Sequence, residues 1–120
     1  MLDIETPMTV YVDGARNGFG RMVMCHMLAD TPEELHAMAL ALGLKWQWYQ
    51  SPALASFPHY DLSLTRRALA VAKGAKEITR KECGEFMRVT RNRLITDGET
   101  WASAGWTILP QDVGLCVSTG

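Results

Sequence analysis

The sequence predicts an α/β fold, a small mixed sheet with helices packed on it in a single compact domain. Three observations predict it. β-Branched and aromatic runs alternate with helical patterns along the chain. Two helix-start signatures, Thr31-Pro32-Glu33-Glu34 and Thr79-Arg80-Lys81-Glu82, punctuate them. A length of 120 residues, 48% of them hydrophobic, suits one core and not two.

Each element has its own warrant. Met8 to Asp13 (MTVYVD) alternates Val10 and Val12 with Thr9 and Tyr11 and reads as a buried strand. Asp13-Gly14, Gly18 and Gly20 then break the pattern into a loop. Arg21 to Leu28 is apolar on both faces and reads as a second strand. A helix over Pro32 to Leu42 follows: Thr31 and Glu34 cap reciprocally, Leu35, Met38, Ala39 and Leu42 form a stripe, and Gly43 ends it. Lys45 to Gln50 (KWQWYQ) alternates and predicts a short strand. Asp61 or Ser63 caps a helix over Leu64 to Lys73, with Leu64, Ala68, Val71 and Ala72 as its buried stripe. A brief strand within Ala75 to Ile78 precedes a third helix near Lys81 to Arg91, whose stripe is Cys83, Phe86 and Met87. Edge strands are expected at Trp106 to Leu109 and Gly114 to Val117. The organisation is thus an extension over 1–7, a core over 8–93 and a tail or edge-strand decoration over 94–120.

Charge and cysteine usage narrow the function. The net charge of −1 argues against a duplex nucleic-acid partner, whose phosphates demand many cations. Residues 45 to 96 nonetheless carry ten bases against four acids, either a solvated helix face or an attraction for phosphate. No apolar run is long enough to span a membrane. Three scattered cysteines without a CxxC pair, and a start (MLDIETP) without basic residues, suggest a cytoplasmic protein. Seven methionines and four tryptophans are much apolar material for this size, so a homo-oligomer is expected.

The candidate chemistry lies in a few polar residues. His59-Tyr60-Asp61, if extended, puts an imidazole and a carboxylate on one face just before a helix. Asp13 ends a strand, where α/β crevices open. His26 sits in an apolar strand, as a core histidine or a site residue, and His36 at the edge of a helical stripe, packed or surface. The Gly18-x-Gly20 loop lacks the third glycine of a dinucleotide fingerprint, and no P-loop or HExxH is present.

The strings MTVYVD, GRMVMCHMLADTPEELHAMALALGL, WYQ and HYDLSLTRRALAVAKGAKEITRKE resemble the domain-of-unknown-function 4031 family of small bacterial and phage proteins, over Met8 to about Arg88. The resemblance implies a compact α/β fold and no particular activity. Its recurring polar positions fall on Asp13, Arg21, His26, His59, Asp61 and Arg66 among others, and Gly14 stands where many relatives carry a second aspartate.

The leading expectation is a small-ligand-binding protein for a nucleotide or other phosphorylated metabolite, acting by sequestration, in a pocket of Asp13, Arg21, His26, His59, Asp61 and Arg66. A metal-dependent hydrolase, with a divalent metal on His26, His59, Asp13 and Asp61, is the alternative. A structural or protein-interaction module without ligand is the third. All ligand readings require His59 and Asp61 to meet His26 across more than 30 residues of chain.

Overall fold

The computed structural model describes residues 9–14, 17–19 and 22–109. Its core strand is β3 (Met22–Ala29), an eight-residue apolar run. β1 (Val10–Val12) pairs antiparallel with it, Val12 opposite Met27, and β2 (Asn17–Phe19) pairs antiparallel at Met22 to Met24. β4 (Tyr60–Ser63) is antiparallel to β3 over Met24 to Met27. β4 therefore shares Met27 with β1 and Met24 with β2. A strand has only two edges, so β4 takes one edge of β3, and β1 and β2 run in succession along the other. β5 (Lys76–Glu77) lies parallel to β1, which makes the sheet mixed, as expected.

Helices cover both faces. α1 (Pro32–Ala41) begins on Thr31, whose hydroxyl accepts from the Glu34 amide at 3.2 Å, and is followed by Gly43 at φ 76°, a left-handed position that favours glycine. α2 (Leu64–Ala72) begins on Ser63, which accepts from the Arg66 amide at 3.2 Å, so Ser63 and not Asp61 is the cap. α3 (Arg80–Thr96) begins with a complete capping box between Thr79 and Glu82 and runs further than the sequence pattern suggested. α1 and α2 pack Leu35, Met38 and Ala70 onto Val10, Val12, Cys25, Met27 and Leu62. The alternate strand residues face α3, where Leu28 meets Cys83 and the Tyr11 ring lies 4.9 Å from that of Phe86. Fully burying one such aliphatic side chain contributes about 1.5–3 kcal/mol.

Four expectations need correction. Lys45 to Gln50 is not a strand: Trp46–Trp48 form a 3-10 turn, and only Gln50 pairs, as a single bridge to His59. Trp46 and Trp48 stand half exposed while Tyr49 is buried, its hydroxyl donating to the Trp106 carbonyl at 2.6 Å. Strict alternation therefore misled, because the amides of Trp48 and Tyr49 bond locally, to Lys45 and Trp46. The buried side of α2 is centred on Ala70, not on Leu64 and Ala68, which are exposed with Leu69 and Ala72. Trp106 to Leu109 is turn and bend, not an edge strand, and Gly114 to Val117 lies outside the described residues. Asn17–Phe19, read as loop because of its glycines, is strand β2. Among the described residues no helix is long and apolar enough to cross a membrane.

Candidate functional site

Alternation of side chains along three neighbouring strands brings the site together. Val12 and Met27 belong to the core under α1 and α2, so Asp13 and His26, one residue beyond each, project to the α3 side. Leu62 and Tyr60 also belong to that core, so Asp61 and His59 project with them. In the β3–β4 ladder His26 stands directly opposite Asp61. The rings of His26 and His59 are 5.0 Å apart, edge to face. The two histidines thus meet on one side of the sheet, 33 residues apart in sequence.

Each imidazole is oriented through its Nδ1. His26 Nδ1 donates to Asp13 Oδ2 at 2.7 Å, while Asp13 Oδ1 accepts the His26 backbone amide at 2.8 Å. Asp13 is 2% exposed, and its carbonyl accepts from Arg67 Nε at 3.0 Å, which ties the end of β1 to α2. His59 Nδ1 lies 2.7 Å from the Phe57 carbonyl. A carbonyl only accepts, so Nδ1 carries the proton and Nε2 of a neutral His59 bears the lone pair. That Nε2 is 3.3 Å from Asp61 Oδ1. Two lone pairs do not face each other at that distance without a positive charge, either a second proton on the imidazole or a cation shared by both atoms.

The electrostatics agree with the geometry. The hydrogen bond to Asp13, set against burial, raises His26 above the ordinary imidazole value. The bond to His59 holds Asp61 below the usual carboxylate range. Cys83, on the first turns of α3, is buried near Asp13; burial first, and the carboxylate second, push its thiol up to about 12. It is a protonated donor at neutral pH, not a nucleophile. Two overlapping donor sets result, Asp13 with His26 and Cys83, and His26 with His59 and Asp61, each with ligand atoms within 4.8 Å of one another. Beside them opens a cavity of about 160 Å³ lined by His26, His59, Ser56, Cys83, Leu28, Phe57 and Met87.

Of the residues singled out in the sequence, Asp13, His26, His59 and Asp61 converge. Arg66 does not join them: it starts α2 on the other face of the sheet, where Nε donates to the Leu42 carbonyl at 3.3 Å and the guanidinium lies 5.6 Å over the Trp48 ring. Arg21 lies outside the described residues. His36 is buried away from the site, with Nδ1 2.9 Å from the Tyr60 hydroxyl. Sequence reasoning missed Cys83, taken for part of an apolar stripe, and Phe57, whose carbonyl fixes His59. The signal for Cys83 was its place one turn after a helix start that follows a strand bordering Asp13.

A family model described as a protein of unknown function (DUF4031) matches residues 10–90. The matched stretch includes every residue of the cluster and the wall of the cavity. No curated protein and no solved structure matches the chain.

Proposed function

The chain belongs to the DUF4031 family, whose description carries no activity, and we propose on geometry that it is a metal-dependent hydrolase. A divalent, zinc-type ion would be held by His26, His59 and Asp61. The observation that carries this reading is the facing pair His59 Nε2 and Asp61 Oδ1. Two donors about 2.0–2.1 Å from a tetrahedral ion stand roughly 3.3–3.4 Å apart, and this pair is 3.3 Å apart. His26, whose Nδ1 is held by the Asp13 carboxylate, contributes the third donor of the set. Three protein donors leave a position for water, the composition of a catalytic and not a structural zinc site.

The ion's chemistry is to lower the pKa of bound water towards neutrality. Water so activated beside His26, His59 and Asp61 would be the nucleophile toward an acyl carbon, its oxygen replacing the leaving oxygen or nitrogen and its remaining proton going to that leaving group. Asp13 is a positioning residue that holds His26 in one tautomer.

A phosphorylated ligand has one observation on its side, the positive charge of Arg80 acting on His26. Against it stand two carboxylates in the cluster and a cavity of about 160 Å³, small for a nucleotide. Self-association draws on Leu64 and Leu69, both exposed on α2; a sedimentation coefficient that stays monomeric at high concentration removes it.

The test is calorimetric titration of chelator-stripped protein with zinc, beside hydrolysis of a chromogenic ester. The expected result is one site per chain, lost in His59→Ala and Asp61→Ala, and weakened roughly 10–100-fold in Asp13→Asn. Ester hydrolysis should vanish with chelator and return with zinc. Equal zinc affinity in all three variants overturns the assignment.

A further inference from the structure

Resting on the metal-site reading, we infer that the substrate is a neutral acyl compound whose acyl side is a compact apolar group, up to a single six-membered ring, seated between the sheet and α3. The cavity beside His26 and His59 has a wall of Leu28, Phe57 and Met87, broken only by Ser56 and the Cys83 thiol. Its volume of about 160 Å³ has room for one ring: an engineered cavity of about 150 Å³ lined by Leu, Ile and Phe takes up benzene. The wall is built and not incidental. Leu28 is 1% exposed and Phe57 and Cys83 are each 3% exposed, all within one cluster joined by Met87. The Phe57 ring is further braced, edge to face, by Trp101 at 5.2 Å and by Phe86 at 5.9 Å.

Chemistry selects the guest as well as size. The Leu28, Phe57 and Met87 wall offers no charge to pair with an anionic tail and so favours a neutral one. His26 and His59 line the same cavity, so a ring seated against Leu28, Phe57 and Met87 puts its carbonyl substituent at the imidazoles. The geometry therefore favours a benzoyl-like or short branched acyl group and disfavours a nucleoside or a sugar phosphate.

Two hydroxamates separate this inference from the reading beneath it. Acetohydroxamate and benzohydroxamate present the same metal-binding head, and only the second carries a ring. With zinc-loaded protein, benzohydroxamate should bind roughly tenfold or more tighter, the benefit of desolvating one ring, and Met87→Trp, which fills the cavity, should remove that advantage. A second measurement needs no metal: adding phenol to metal-free protein should shift the methyl resonances of Met87 and Leu28 and leave those of Leu64 and Leu69 in place. Equal affinities for the two hydroxamates, or no phenol-induced shift at Met87 and Leu28, overturns the pocket assignment while leaving the ion. Phenol shifts in a protein that binds neither zinc nor hydroxamate uphold the pocket and overturn the metal reading instead.

Discussion

His36 shows what a single buried side chain costs and controls. It is 2% exposed, its Nδ1 faces the Tyr60 hydroxyl at 2.9 Å, and its Nε2 has no hydrogen-bond partner among the described residues. The rings of Tyr49 and Tyr60 pack edge-on against it, and burial lowers its pKa to about 4. A neutral imidazole is tolerable there, since one unmet group costs about 1–3 kcal/mol, whereas an imidazolium must first be stripped of water. The linkage follows from the direction of the shift. As pH falls below about 6.5 the unfolded chain binds a proton that the folded chain refuses until about 4, so stability present at neutral pH is lost progressively across that window. The loss attributable to His36 is about 3 kcal/mol. Urea denaturation of the wild type and of His36→Gln between pH 7 and pH 4 isolates it, because every other group titrates in both. The wild type should lose stability more steeply, and parallel curves would show that His36 is not the cause.

At the level of elements, local chemistry made the helices legible and left much of the sheet unread. Thr31 with Glu34 and Thr79 with Glu82 satisfy helix-start amides through side chains three residues away, so both starts were visible in a short window. The capping box of α3 gives a direct measure of such a signal. Thr79→Ala should cost about 1 kcal/mol in urea denaturation. Because Thr79 and Glu82 cap reciprocally, the double variant with Glu82→Ala should cost less than the two single losses together; strict additivity would mean that the two bonds act independently. Strands β2 and β4 were missed for the opposite reason. Asn17–Phe19 is too short to show a period, Tyr60–Ser63 alternates over only four residues between a proline-containing loop and a helix cap, and both are strands because β3 offers both its edges. The same dependence on context turned KWQWYQ into a 3-10 turn, with one bridge at Gln50 in place of a ladder.

Over the whole molecule, the site was legible as residue types and illegible as a place. That His59 and Asp61 share a face follows from spacing alone, but their meeting with His26 depends on the register that sets His26 opposite Asp61, which no local pattern encodes. Arg66 was grouped with them because it is near in sequence; the turn from β4 into α2 carries it to the other layer. The far end of the chain poses the same problem. The segment after α3 reads as a tail or edge-strand decoration, because its Gly, Thr, Ser and Trp after Asp97 carry no helical or strand period. Yet Trp106 is 3% exposed inside the larger core cluster, its carbonyl accepts the Tyr49 hydroxyl, and Trp101 packs against both clusters, 6.2 Å from Trp106 ring to ring. If that segment is part of the core, Trp106→Ala should cost about 3–5 kcal/mol, a large share of the roughly 5–15 kcal/mol that holds a domain of this size. Tyr49→Phe, which removes only the hydroxyl that grips the segment, should cost about 1 kcal/mol. Chemical denaturation followed by tryptophan fluorescence and by circular dichroism reads both variants, and coincident transitions would place residues 99–109 in the same cooperative unit as the sheet. A loss below about 1 kcal/mol for Trp106→Ala, well under the cost of emptying a tryptophan-sized space, would return the segment to the status of an appendage and detach the Trp101 brace from the wall formed by Phe57.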